Sequence, residues 1–414
     1  MWSHTFTTTW NSQGRWIYLI EWQTARVTDI RNTEESSGKL GEITVQFSNG
    51  TEGTAVYNTD ELGERVKTGD QVLLNTTAVS LGLGTGGVHF VHAILDKQYT
   101  QENASTVEEE YSEPGRKSDC SSFPDDSLAK GHIMKLRYTS LQRSILAVEE
   151  PSSPHHDLFT RKLSLEGMPV LVGELHSMLP AIMCRLKQRM NEEGRRVRIA
   201  YVMSDSASLP IAFSKHVRQL RQLQWLAGCI TFGQAYGGDL EAVNKYTALL
   251  AARHVLHADL AIAVPGPGSV GTSTLLGFSG TEAAELLNAA GALHGMPIAV
   301  PRISFADKRE RHRGISHHTL TILGELTQIR SFVPLPILDD ECSGHIRQQV
   351  MLSELALKHA VSWHIPVPEK QWQNALEAYS LPIASMGRGL SEDPAFWSAV
   401  GAAADLAWHY SSLP

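Results

Sequence analysis

Asp259-Leu260-Ala261-Ile262-Ala263-Val264-Pro265-Gly266-Pro267-Gly268-Ser269-Val270-Gly271-Thr272-Ser273-Thr274 sets an unbroken apolar run against a loop of glycines and hydroxyls. An apolar run without polar alternation reads as a strand buried on both faces, the mark of a parallel sheet. The loop behind it lies where such sheets bind ligands, outside the carboxyl ends of the strands.

The same layout recurs along the chain. Strands read at His132–Tyr138, Ser144–Glu149, Pro169–Gly173, Val197–Met203, Cys229–Phe232, Asp259–Val264 and Pro297–Ile303. Helices read at Leu179–Asn191, Leu209–Leu223, Leu240–His257, Thr281–His294, Thr319–Leu326, His345–Ala360 and Glu369–Ala378. This alternation predicts right-handed crossovers and an α/β fold with a doubly wound, mostly parallel sheet. We assign it residues 130–414, with helices at the C-terminal end.

Upstream the period changes. Short alternating runs at Arg26–Ile30, Gly41–Phe47, Thr54–Tyr57, Gln71–Leu74 and Val88–Ile94 are separated by Ser48-Asn49-Gly50, Thr68-Gly69-Asp70 and other turn signals. They predict a small N-terminal β-barrel, SH3-like or OB-like, within residues 1–100. Trp2, Trp10, Trp16 and Trp22 crowd the start of that segment and read as covers for an apolar surface. Residues 101–129 hold eight acids against Arg116 and Lys117 and read as an acidic linker.

The chain has 414 residues, 42% of them hydrophobic and 19% charged, which is ordinary for a globular protein. Its net charge of −8 argues against general nucleic-acid binding, because neutralising phosphates takes a basic surface. No apolar run approaches the roughly 18 residues that a membrane span requires, so no membrane partner is expected. The polar, aromatic start MWSHTFTTTWNSQGRW lacks the pattern of a secretory leader. Cys120, Cys184, Cys229 and Cys342 are widely spaced, without a C-x-x-C pair, and read as reduced thiols of a cytoplasmic protein.

Five predicted strands end in polar or glycine-rich loops, at residues 173–177, 204–208, 233–239, 265–274 and 304–313. In a parallel sheet all five leave one edge and converge on a crevice. Caps and turns account for many of these residues taken singly; Asp205, Ser208 and Asp239 stand where helix N-caps are wanted. Convergence of all five is the argument for a site. Glu174, His176, Asp205 and Asp239 are the candidates for acid–base catalysis. Backbone N–H groups and hydroxyls of Gly266, Gly268, Ser269, Gly271, Thr272, Ser273 and Thr274 are expected to cradle an anion, with Gln234, Tyr236, Gly237 and Gly238 beside them. Arg302 and Arg309 would neutralise it. They belong to residues 302–313, which carry a net +3 in an otherwise acidic chain. A solvated loop explains that charge equally well.

Other motifs fall short. Gly266-Pro267-Gly268-Ser269-Val270-Gly271 matches the dinucleotide fingerprint, but the next helix reads only from Thr281 and no ribose-binding acid follows. Gly82-Leu83-Gly84-Thr85-Gly86-Gly87 fits the same pattern between two strands, which shows how cheap it is. There is no phosphate-binding G-x-x-x-x-G-K-[ST], and Gly277-Phe278-Ser279-Gly280 misses the nucleophile elbow of a serine hydrolase. His155-His156-Asp157, His176, His312 and His317-His318 fall in loops or at helix starts. Adjacent imidazoles rarely share one ion, and no H-E-x-x-H is present, so no metal ligands and no cofactor are assigned.

Several long peptides are more specific. Asn75-Thr76-Thr77-Ala78-Val79, residues 82–87 and 131–139, Ser153-Pro154-His155-His156, residues 232–244 and the loop 265–282 resemble a bacterial family described as domain of unknown function 3866. The longest such stretch is residues 301–319, and the likeness covers most of residues 25–360, with Thr272-Ser273-Thr274 a minor departure. The resemblance implies a bacterial, cytoplasmic protein and no particular activity.

These readings favour an enzyme acting on a small anionic substrate, such as a phosphorylated one, bound at the strand-tip crevice. A nucleotide- or dinucleotide-binding oxidoreductase and a non-catalytic binding or scaffold protein are the alternatives. A homodimer is the default assembly.

Overall fold

In a computed structural model, residues 21–31, 40–62, 65–80, 87–95, 131–137, 141 and 143–411 are described. Contacts divide the chain into two units, Met1–Asp126 and Ser127–Pro414. The acidic segment 101–129, the early tryptophans 2, 10 and 16, Cys120 and the glycines of 82–86 lie outside the described residues.

In the first unit, strands β1 (Trp22–Arg31), β2 (Leu40–Phe47), β3 (Glu52–Asn58), β4 (Gln71–Asn75) and β5 (Val88–Ile94) close into a barrel in the order β1-β2-β3-β5-β4. Period-two alternation turns Ala25, Val27, Ile43, Val45, Val72 and Leu74 inward to fill it. Closure leaves no open edge. Each predicted run lies inside one of these strands.

The second unit is built on eight strands: β8 (Pro169–Val172), β9 (Ile199–Ser204), β10 (Gly228–Thr231), β11 (Leu240–Glu241), β12 (Leu260–Pro265), β13 (Met296–Ala299), β16 (Phe332–Pro336) and β17 (Ala360–His364). Their order is β11-β10-β9-β12-β8-β13-β16-β17, and every pairing is parallel. Alternate side chains of β12 enter two cores. Ala261 and Ala263 face one, under the helices Lys245–His254 and Glu282–Ala292. Leu260, Ile262 and Val264 face the other, under Met178–Glu193 and Pro394–Tyr410. Burial on both faces explains the unbroken apolar runs.

This topology sets the crevice. The chain leaves β8 for the helix Met178–Glu193 on one face, and leaves the adjacent β12 for Glu282–Ala292 on the other. Where neighbouring strands send their connections to opposite faces, the loops part and a hollow opens.

Several predicted elements are corrected. The strands predicted over His132–Tyr138 and Ser144–Glu149 fold instead as β6 (Ile133–Lys135) and β7 (Arg143–Ile145), a separate antiparallel pair, with Ala147 alone bridging Glu241 at the edge of the main sheet. The strand predicted to Ile303 ends at Ala299; β14 (Ile303–Ser304) pairs instead with β15 (Gly314–Ile315). The helix predicted over Leu240–His257 begins at Lys245, because residues 240–241 form the edge strand β11 and Asn244 caps the Tyr246 and Thr247 N–H groups. No helix among the described residues is long and apolar enough to cross a membrane.

Candidate functional site

A pocket of about 180 Å³ opens at that parting of the loops. The loop after β8 contributes Glu174 and Leu175; the loop after β12 contributes Ser269, Val270, Gly271 and Ser273. The segment after β13 contributes Arg302, Arg309, Arg311, His312 and His318. Thus three of the five predicted loops meet here.

Glu174 is the residue least at rest. Its side chain is 2% exposed, and neither carboxyl oxygen has a hydrogen-bond partner among the described residues. Arg302 Nη1 stands 3.9 Å from Oε1, and His318 Nδ1 stands 3.9 Å from Oε2. Burial strips water from the carboxylate and pushes its pKa up to about 7, against the opposing pull of Arg302. Gly280 leaves room for this side chain, since a Cβ there would press on the Glu174 Cβ.

The basic wall has its own scaffold. Asp307 accepts from Arg309 Nε and Nη2 at 2.9 and 2.7 Å, and Arg302 and Arg388 also point at it. Arg309 above all holds the Asp307 carboxyl well below the usual range. Asp393 accepts from Arg388 and from Ser304 Oγ. Arg311 Nη2 donates to Ser273 Oγ at 3.0 Å, fastening the basic segment to the loop after β12. Ser273 sits at φ +63°, a left-handed conformation uncommon for a side chain other than glycine.

Two imidazoles complete the wall. His312 is buried and its Nδ1 lies 2.8 Å from Ser316 Oγ; His318 stacks flat on Phe278 at 3.8 Å. Burial and the neighbouring arginines push His312 down to about 3. Burial, His317 and the arginines push His318 down to about 4. These rings are neutral at physiological pH.

The other predicted site residues are placed elsewhere. Both ring nitrogens of His176 are engaged: Nδ1 lies 2.9 Å from the Pro265 carbonyl and Nε2 lies 2.7 Å from Ser214 Oγ. The ring ties the tip of β12 to the cap of the helix Lys215–Gln222, and it does not line the pocket. Asp205 accepts from the Gln234 N–H at 2.7 Å, and Gln234 Oε1 accepts from the Leu136 N–H. Asp239 has turned back along the sheet, accepting from the Cys229 N–H and pairing with Arg221 at 3.1 Å. It is therefore at the wrong end of β10 for the crevice.

The loop 233–239 is spent on an internal knot. Buried Lys135 reaches Glu241 at 2.6 Å and the Ala235 carbonyl at 2.5 Å, while Gly237 and Gly238 donate to Glu241 and Thr231. Tyr236 is buried under the Arg143 guanidinium. Gly238 has no room for a side chain, because a Cβ would lie 2.6 Å from the Leu240 carbonyl. Gly266 packs against the Ser208 carbonyl, Gly268 turns at φ +99°, and Thr272 and Thr274 bond to each other and to the Gly277 backbone. Of the predicted anion loop, Ser269, Gly271 and Ser273 remain in the pocket wall.

The dinucleotide reading needs a helix N-terminus within 268–274. The next helical turn starts at Ser279, after the loop has folded on itself through the Ser279 N–H to Val270 carbonyl bond. Sequence reasoning missed Phe278, Arg311 and Met386 as lining residues. Arg311 was visible within the basic stretch, whereas Phe278 and Met386 carry no local signal.

A family model described as "Protein of unknown function (DUF3866)" matches residues 55–404. No curated protein matches the chain.

Proposed function

The chain belongs to the DUF3866 family, and on the chemistry of its pocket we propose that it is an enzyme acting on a small anionic substrate, with a phosphoryl group as the recognised feature. The observation that carries this reading is Glu174, a buried carboxyl without a hydrogen-bond partner among the described residues, facing a pocket rimmed by Arg302, Arg309 and Arg311. A buried acid left without a hydrogen bond is costly, and such a cost persists where function requires the group. Its pKa of about 7 suits it to give or take a proton near neutrality.

In this reading Arg309 and Arg311 hold the anion from one side, and Ser269, Gly271 and Ser273 border it on the other. Arg302, shared between Glu174 and Asp307, balances the charge between acid and substrate. The proposal takes the protein as bacterial and cytoplasmic, and its partner as a small molecule rather than a nucleic acid or a membrane.

Thermal-shift measurements with inorganic phosphate and a panel of phosphorylated metabolites test it. A true ligand at about a hundred times its Kd stabilises the protein by about 2.7 kcal/mol, and Arg311→Gln reduces the effect. Glu174→Gln keeps ligand binding while turnover drops by about 10²–10⁴-fold. Absence of stabilisation by every phosphorylated compound overturns the reading.

A further inference from the structure

We propose that His312, His317 and His318 form a binding site for one first-row divalent transition-metal ion, of which zinc fits the donors best, in the wall of the pocket. One potential ligand atom from each imidazole lies within 4.8 Å of the other two. An ion about 2.0–2.1 Å from three nitrogens in a tetrahedral arrangement needs them about 3.3 Å apart, which small side-chain rotations supply.

The surroundings are built as a ligand set requires. Ser316 Oγ lies 2.8 Å from His312 Nδ1 and also accepts from the His318 N–H at 3.3 Å. With Nδ1 occupied, the Nε2 lone pair of His312 is free to bind an ion, the usual arrangement of a ligating histidine and its outer partner. The ring of His318 is held flat against Phe278. His317 Nε2 is buried and has no hydrogen-bond partner among the described residues, a cost that metal coordination would remove.

Three protein nitrogens leave a position open, and His312 and His318 both line the pocket, so that position faces the space assigned to the substrate. Imidazole donors suit zinc, iron, cobalt and nickel rather than magnesium or calcium. The charge balance is mixed. Arg302, Arg309 and Arg311 oppose a cation, Glu174 and Asp307 favour it, and an anion seated among the arginines tips the balance towards binding.

This inference stands on the three imidazoles and shares only the pocket with the function proposed above. The test uses the full chain, stripped with a chelator and titrated with Co²⁺ or Zn²⁺ alone. The expected result is one equivalent per chain, with visible Co²⁺ absorption bands that Zn²⁺ abolishes. His317→Gln and His312→Gln each weaken binding by more than about tenfold, and Ser316→Ala by about 10- to 100-fold. His155→Gln, outside the cluster, leaves it unchanged. Absence of Co²⁺ bands in the folded wild-type protein overturns the site, as do bands that persist undiminished in both ligand variants with native far-ultraviolet dichroism. Parallel titrations of the wild-type chain with metal and with phosphorylated compounds separate the two readings. Metal binding retained while no phosphorylated compound binds supports the metal site and removes only the anion reading; phosphate binding without any metal binding removes the metal site.

Discussion

Glu174 and His176 stand two residues apart on the same loop and show how environment divides similar chemistry. Glu174 faces the pocket without a hydrogen-bond partner among the described residues, whereas His176 is consumed by its neighbours. Ser214 Oγ accepts from the Val217 N–H and offers its own hydrogen to His176 Nε2, leaving Nδ1–H for the Pro265 carbonyl. That arrangement suits a neutral ring, and burial pushes the pKa down from 6.5 to about 4. Because the folded pKa is depressed, the unfolded chain takes up the proton first as pH falls. The stability that His176 contributes is complete above about pH 6.5 and is lost on descending towards about pH 4. Thermal unfolding across that range should therefore show a shallower pH dependence in His176→Gln than in the wild type; identical slopes would contradict the assignment. Sequence alone marked both residues as acid–base candidates. It could not separate them, because the partners of His176 are 38 and 89 residues away.

At the scale of elements, legibility followed burial. β8, β9, β10 and β12 were readable because both faces are covered and their apolar runs are unbroken. β16 was hidden by Pro334 and Pro336, which argue against a central strand. It escapes that rule because it pairs with β13 only through Ile298 and Phe332, leaving both prolines beyond that ladder. The helix Pro394–Tyr410 was expected only as an unspecified C-terminal helix; twelve of its residues are buried, so it lacks a polar face to give it a period. The loop after β10 misled for another reason. Its glycines and Asp239 resemble a ligand loop, yet Gly237 and Gly238 brace the buried Lys135–Glu241 pair and Asp239 pairs with Arg221. Removing one partner of such a pair leaves an uncompensated charge, so Lys135→Met should destabilise the protein by about 3–5 kcal/mol in denaturant titration. Phosphate affinity in the folded variant should be unchanged. A loss below about 1 kcal/mol would show that this knot is not structural.

Across the whole molecule, an acidic chain of net −8 gathers Arg302, Arg309 and Arg311 around one strand-tip pocket. Parallel strands made the convergence foreseeable, although of the five predicted loops those after β8, β12 and β13 alone reach it. The selection is topological: these are the loops bordering the parting between β8 and its two neighbours, and their order in the sheet cannot be read from local periodicity. Attraction between the arginines and an anion is screened by salt, so phosphate affinity should fall as ionic strength rises from about 0.01 M to 0.15 M. Affinity indifferent to salt would argue for recognition by something other than charge. The most direct test of the account is an anomalous-scattering map from crystals soaked in tungstate, a heavy stand-in for phosphate. A peak is expected bounded by Arg302, Arg309, Arg311 and Ser273 on the Glu174 side of the pocket. An empty pocket, with tungstate bound instead at another face of the molecule, would contradict it.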